Sequence, residues 1–181
     1  MKNEFLYASI ADTQGTIRSI DIRAGFLFII LFMPLSIFDK ISAIHAHSGV
    51  NPPFMVAGMV VVLVAWTAAL CAIFRCILGV DNPTSHVFGT NAAGSFYSGD
   101  LFSLGILDVF MNLRVTSSRS IDEEKARLPK NDDEIQTELV FERMKLAYIR
   151  AVKMKRFMSA TWLTFFWLVL SFSLIEYMSV S

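Results

Sequence analysis

The sequence predicts an all-α integral membrane protein with three transmembrane helices, the last of them continuous with a long cytoplasmic helix. The chief evidence is three apolar runs, at residues 22–38, 54–74 and 157–175. The second run carries no charge for about 20 residues, the length that a helix needs to cross a hydrocarbon core of about 30 Å. Of the 181 residues, 54% are hydrophobic and only 18% are charged. We therefore predict one membrane domain over residues 1–181, with a cytoplasmic segment at 76–156.

The basic residues predict the orientation of these spans. The loop between the first two runs holds only Lys40, and no Lys or Arg follows the third run. With the N-terminus inside, every other Lys and Arg lies on the cytoplasmic side, among them Arg23, Arg75 and Arg156. Because cytoplasmic flanks are enriched in Lys and Arg, we expect the N-terminus inside and the C-terminus outside.

The first run fits a retained span better than a cleaved signal peptide. Its leading segment is long and contains Asp12 and Asp21, and no A-x-A cleavage site follows. Pro34 lies inside the run and predicts a bend there. We favour a bend that steers the helix end towards the loop over one that acts as a gating hinge.

The remaining segments outside the runs are predicted as follows. Residues 3–20 mix apolar and polar positions, as in a short amphipathic helix on the inner leaflet. Asp81-Asn82-Pro83 ends the second helix, and the glycines and serines of 82–99 predict irregular structure. We expect a short apolar helix at 100–113 and a solvated linker at 114–131.

A strong helix start follows the predicted linker. Asn131 can cap the helix, Asp132 and Asp133 suit the positive end of its dipole, and Glu134 stands at the capping-box position. No Pro or Gly occurs from there to the end of the sequence. We therefore predict one helix over 132–177, roughly 70 Å long, whose first half stands in the cytosol.

A strip of small side chains runs along the second span. Ala65, Ala69, Ala72 and Cys76 recur at helical spacing. Small residues allow the close backbone approach on which helix packing in lipid depends. We expect this strip to pack against the first span, the third span or a copy of itself. We also expect the protein to form a homo-oligomer.

No catalytic or metal-binding pattern is present in the sequence. It contains no P-loop, H-E-x-x-H, CxxC or G-x-S-x-G motif. Cys71 and Cys76 suit small packing residues, while His45 and His47 lack the further ligands of a metal site. We therefore expect neither an enzyme nor a protein with a metal or cofactor.

Three groups of residues are candidates for ligand binding. Asp21 and Arg23 lie at the entrance to the first span, where charges need partners or must reach the headgroups. A glycine-containing loop offers aromatic faces and a carboxylate, and the last helix offers cations for a phosphate. Attraction to anionic lipids is the commoner explanation of such cations. The candidates are Asp21, Arg23, Phe96, Tyr97, Gly99, Asp100, Arg143 and Arg150, with Lys153, Lys155 and Arg156 as further cations.

Several of these motifs resemble the Pycsar effector transmembrane family. They are Asp21-Ile22-Arg23-Ala24-Gly25 before the first span, a proline-marked turn before the second, the aromatic-Gly-Asp-Leu loop at 96–101, and a terminal helix that continues into the last span. The likeness covers about residues 5–175. The sequence departs from the family pattern at Arg23, where Lys is usual, and at 96–100, where one residue is inserted.

The resemblance implies an effector of a bacterial antiphage system. Members of that family respond to a cyclic pyrimidine mononucleotide, cyclic CMP or cyclic UMP, made by a neighbouring cyclase upon infection. The inner membrane then loses integrity, and the infected cell dies before phage matures. We accordingly expect a multi-pass protein of the bacterial inner membrane, with the bilayer and the cyclic nucleotide as partners and no nucleic acid.

Two other classes of function compete with this expectation. The protein can be a ligand-independent structural subunit of a membrane complex, which predicts co-purification with a partner. It can also be a holin-like toxin, which predicts killing without any ligand. The long charged segment 114–156 argues against a simple hole-former. A cyclase gene next door favours the effector, and a transporter gene favours the subunit.

Overall fold

The computed structural model describes residues 2–33, 52–80, 83–89, 95, 101–102 and 116–180. This part of the chain is all-helical and contains no strand, which confirms the all-α part of the predicted fold class. We number its four α-helices α1 to α4 in chain order, and a 3₁₀ turn lies between α2 and α3. The helices are α1 (Lys2–Phe32), α2 (Pro52–Ile77), α3 (Ile121–Arg127) and α4 (Asp132–Val180), and the 3₁₀ turn is Pro83–His86.

Two of the described helices are long and apolar enough to cross a membrane. The qualifying stretches are Pro53–Ile77 and Asp132–Met178. They contain the predicted second and third spans. The first predicted span begins within α1, which also includes the predicted amphipathic helix in one unbroken element. Residues 34–38 of that span lie outside the described residues, as do Pro34, His45, His47 and all but Leu101 and Phe102 of the predicted 100–113 helix.

The predicted start of the long last helix is confirmed. Asn131 Oδ1 accepts a hydrogen bond from the Glu134 amide at 2.8 Å, and Glu134 Oε2 accepts one from the Lys130 amide at 2.7 Å. Three acidic residues occupy the first turn of α4, where the helix dipole favours negative charge. The helix then continues without interruption to Val180, slightly beyond the predicted end at residue 177.

The predicted linker over 114–131 is wrong in its central part, where α3 forms. Ser120 and Glu123 make a capping box: Ser120 Oγ accepts from the Glu123 amide at 3.3 Å, and Glu123 Oε2 accepts from the Ser120 amide at 2.8 Å. Acidic residues fill the first turn of α3 and basic ones its last turn, so the charges that suggested a solvated linker also stabilise a short helix.

The chain divides into two compact units. One consists of Gly15–Asp81 and Ile149–Ser181. We call it the apolar unit because the apolar stretches of the two helices able to cross a membrane lie in it. The other consists of Met1–Gln14 and Asn82–Tyr148, and we call it the polar unit. Both α1 and α4 contribute residues to each unit.

The apolar unit is a bundle of α1, α2 and α4. Its buried cluster joins Leu31 of α1, Ala69 and Ile73 of α2, and Ala160 and Trp167 of α4. A second cluster joins Ile20, Ala24, Cys76 and Phe157. Because Ile20 and Ala24 precede Leu31 in α1 but contact a later part of α2 and an earlier part of α4, α1 and α4 run in the same direction and α2 runs in the opposite one.

Candidate functional site

An ion pair connects α1 to α4 inside the apolar unit. Lys153 Nζ lies 2.5 Å from Asp21 Oδ1, and the two side chains are 8% and 39% exposed respectively. Removing an ammonium from water is costly unless a carboxylate compensates its charge. Asp21 therefore explains how Lys153 can be buried between the helices.

The end of α2 is attached to α4 at the same level. Arg156 Nη1 donates to the carbonyl oxygen of Arg75 at 2.9 Å, and Cys76 Sγ lies 3.9 Å from the carbonyl oxygen of Lys153. The last four carbonyls of a helix have no partner within the helix, and a nearby cation also suits the negative end of its dipole. Arg156 thus satisfies a backbone group that the end of α2 leaves open.

A similar contact to a backbone carbonyl is made near the C-terminal end of α1. Trp66 Nε1 of α2 donates to the carbonyl oxygen of Leu31 at 2.9 Å, one residue before α1 ends. The Trp66 ring also meets Phe32 edge-on, with ring centroids 5.9 Å apart. These polar and aromatic contacts join α1 to α2 and give the Leu31 carbonyl a hydrogen-bond donor near the end of its helix.

The strip of small residues on α2 lies against the core of the apolar unit. Ala69 is fully buried in the first cluster, and Ala65 and Ala72 pack against that cluster. Cys76 is buried in the second cluster. The strip therefore faces other helices of its own chain along its length, and its small side chains allow the close approach.

The polar unit buries charged side chains of α4. Glu138 accepts a hydrogen bond from the Ser95 amide at 2.9 Å, and Lys145 Nζ lies 2.5 Å from Glu142 Oε2. The same ammonium lies 4.9 Å from the centroid of the Phe141 ring, within cation–π range. Paired charges of α4 are thus buried together with apolar residues of this unit such as Leu139 and Phe141.

Two aromatic contacts add to the polar unit. The Arg143 guanidinium lies 5.6 Å from the centroid of the Phe5 ring, so this exposed cation is oriented by an aromatic face. The His86 and Tyr148 rings stack with centroids 4.5 Å apart and an interplanar angle of 22°. The stack connects the 3₁₀ turn to α4 within the same unit.

A pocket of about 380 Å³ opens beside α3 in the polar unit. One face of α3 lines it at a spacing of three and four residues, where side chains project from the same side of a helix. The loop residues opposite are held by the Ser118 amide, which donates to the Leu101 carbonyl oxygen at 2.8 Å. The lining residues are Leu101, Phe102, Ser117, Arg119, Ser120, Ile121, Glu124, Lys125 and Leu128.

The pocket combines apolar walls with positive charge. Phe102 and Ile121 expose 51% and 77% of their surface, far more than most large apolar residues of a folded core. Arg119 is paired with Glu124 at 2.9 Å, whereas Lys125 is exposed and forms no ion pair with another described residue. Such a pocket suits a small ligand with a flat apolar body and one negative charge.

The structure divides the predicted ligand residues between the two units. Asp21, Arg23 and Arg150 belong to the apolar unit, where Asp21 is paired with Lys153 and the two arginines are exposed. Arg143 belongs to the polar unit. Phe96, Tyr97, Gly99 and Asp100 lie outside the described residues. Among the residues that are described, no group of three or more His, Cys, Asp or Glu side chains is placed to hold a metal ion.

Sequence reasoning missed the pocket because it missed α3. The signal was available in Ser120-Ile121-Asp122-Glu123, which has the Ser-x-x-Glu spacing of a capping box. Once that helix is recognised, Ile121, Lys125 and Leu128 fall on one face. The partner segment of Leu101 and Phe102 had no such signal, since its position depends on a long-range backbone hydrogen bond.

Comparison with known proteins finds no matching family model, no similar curated protein and no similar solved structure. The class that the fold and the contacts define is thus a helical protein with two helices able to cross a membrane.

Proposed function

We propose that this protein is a membrane effector of bacterial antiphage defence, of the Pycsar type. It senses cyclic CMP or cyclic UMP made by a partner cyclase and then disrupts the inner membrane, so that the infected cell dies. In this proposal the chain crosses the membrane three times, with the N-terminus inside and the C-terminus outside. Residues 76–156 face the cytoplasm, the protein assembles as a homo-oligomer, and it catalyses no reaction.

The observation that carries this proposal is the pocket beside α3. Its volume of about 380 Å³ falls in the range of roughly 300–1,000 Å³ that is typical of small-molecule sites. A cyclic pyrimidine mononucleotide has a planar base and a phosphodiester with one negative charge. Phe102 offers a face on which the base stacks, and Lys125 offers a charge for the phosphodiester.

The sequence around the pocket gives further support. The loop at 96–100, which the resemblance singles out, directly precedes Leu101 and Phe102 of the pocket wall. Phe96, Tyr97, Gly99 and Asp100 are therefore joined by the chain to the proposed site. Arg143 stays a candidate phosphate ligand in the same unit. Asp21, Arg23 and Arg150 stay candidates too, and the lipid-binding experiment described below distinguishes nucleotide binding from lipid binding for Arg150.

Ligand-dependent leakage tests the proposed function. Purified protein in dye-loaded liposomes should release the dye when cyclic CMP or cyclic UMP is added, and retain it with linear CMP or UMP. Indifference to both cyclic nucleotides would contradict the proposal. Leakage without any nucleotide would instead indicate the holin-like toxin. Absence of leakage under all conditions, together with a co-purifying membrane partner, would indicate the structural subunit.

Variants of the pocket test its location. Phe102→Ala and Lys125→Gln should each raise the nucleotide concentration for half-maximal leakage about tenfold, because base stacking and a charged hydrogen bond are each lost. Lys130→Gln is the matched control, since Lys130 is an exposed lysine of the same unit outside the pocket. Equal shifts for Lys125→Gln and Lys130→Gln would place the nucleotide elsewhere while leaving the leakage result intact.

A further inference from the structure

Three contacts show which residues of α1, α2 and α4 lie at the same height in the apolar unit. Asp21 of α1 meets Lys153 of α4, and Cys76 of α2 approaches the Lys153 carbonyl oxygen. Arg156 of α4 reaches the carbonyl oxygen of Arg75 on α2. Residues within about one helical turn of these contacts therefore lie at nearly the same height on all three helices.

Positive charge is concentrated at this level. The helices carry seven basic residues here and one acidic residue, Asp21, which is already paired with Lys153. Arg156 donates to the end of α2. The other five are exposed, and none forms an ion pair with another described residue. We call them the cationic collar: Arg18, Arg23, Arg75, Arg150 and Lys155.

Exposed apolar side chains begin directly beside the collar. Phe26 on α1, Phe74 on α2 and Met158 on α4 are 63%, 47% and 54% exposed, and each lies within about two turns of a collar residue on its own helix. The apolar unit thus exposes guanidinium and ammonium groups at one height and apolar groups at the next. A free phosphate compound would use only the first of these, whereas a phospholipid uses both.

We propose that the cationic collar binds the phosphate groups of anionic phospholipids, whose acyl chains cover the adjacent apolar side chains. Arginine suits this role because its guanidinium can form two hydrogen bonds to one phosphate. Basic side chains at a membrane surface are attracted to anionic lipids, and the attraction adds over the groups. The collar would thereby set the depth of the apolar unit in the bilayer. This inference rests on the membrane location proposed above but not on nucleotide sensing.

Direct lipid binding tests the collar. The full-length protein in neutral detergent is titrated with fluorescent phosphatidylglycerol or fluorescent phosphatidylcholine, and energy transfer from its tryptophans is measured. We expect wild type to bind phosphatidylglycerol at least fivefold more tightly than phosphatidylcholine. Arg75→Gln/Arg150→Gln should lose most of that preference, while its helical circular dichroism stays unchanged because both side chains are exposed and unpaired among the described residues.

The controls separate lipid from other sources of phosphate. Lys2→Gln/Lys130→Gln removes the same charge from exposed residues of the polar unit and should keep the full preference. Equal loss in both double variants would overturn the collar, because net charge alone would then explain the binding. Displacement of phosphatidylglycerol by millimolar cyclic CMP or inorganic phosphate would also overturn the lipid-binding proposal. Arg150 would then be assigned to nucleotide binding instead. The titration measures lipid binding and not dye leakage. A negative result in the leakage experiment therefore does not affect the test of the collar.

Discussion

Replacing Ala69 with Phe should destabilise the apolar unit, because Ala69 lies at the centre of its packing. Ala69 is fully buried between Leu31 of α1 and Ala160 and Trp167 of α4. A benzyl group there has no space, so the helices must separate or neighbouring side chains must leave their preferred rotamers. Overpacking of a dense core costs about 1–3 kcal/mol and occasionally more. A cost of about 3 kcal/mol should lower the midpoint temperature of thermal unfolding in detergent by about 10 °C for a chain of this size.

The neighbouring residue supplies the matched control for this change. Ala68 lies on the same helix but is exposed, so Ala68→Phe adds the same group to the outer surface of α2. We expect Ala68→Phe to leave the midpoint within a few degrees of wild type. Similar losses for the two variants would show that Ala69 does not occupy a packed position. A loss confined to oligomer formation would indicate that the strip contacts a second copy.

Breaking the Asp21–Lys153 pair should loosen the apolar unit at the level of the collar. Asp21→Asn leaves the buried ammonium of Lys153 without a compensating charge. Because the Asp21 side chain is 39% exposed, we expect a loss of about 1–3 kcal/mol, less than for a fully buried pair. Cys76 reports the change directly, since it is buried beside Lys153. In a Cys71→Ser background, its labelling by a thiol reagent should become about tenfold faster.

Two further variants distinguish the ion pair from a general loss of charge. Lys155→Met removes an exposed cation two residues from Lys153 and should leave the Cys76 labelling rate unchanged. The reversed pair Asp21→Lys/Lys153→Asp should recover a substantial part of the protection that Asp21→Asn loses. If the reversed pair labels as fast as Asp21→Asn, the two side chains do not stabilise the bundle through their mutual attraction.

Local chemistry explains the parts of the fold that the sequence predicted well. The Asn131 cap depends on residues three apart and forms as predicted, and the Glu134 side chain accepts from the Lys130 amide rather than from the Asn131 amide of a capping box. The length of α4 follows from the absence of Pro and Gly after that cap. The ability of α2 to cross a membrane follows from an uncharged apolar run of about 20 residues, which can be recognised without the rest of the chain.

The candidate site was less predictable because it depends on residues far apart in the sequence. The partner of Asp21 is 132 residues away, and no local pattern distinguishes Lys153 from Lys155 or Arg156 as that partner. Likewise, the Ser118–Leu101 hydrogen bond creates one wall of the pocket, although neither residue carries a motif. Sequence reasoning instead grouped Arg143 with Arg150 as cations of one helix, whereas the structure assigns them to different units.

The sequence by itself determined the helical class, the two helices able to cross a membrane, and the start of the long helix α4. Each of these depends on composition, hydrophobic length or caps, which act over a few residues. Only the tertiary structure decided that Asp21 neutralises Lys153, that Ala69 is a core position, and that five cations share one level of the bundle. The physical reason is that helix register, once set by packing of the apolar side chains, decides which distant charges meet and which stay exposed.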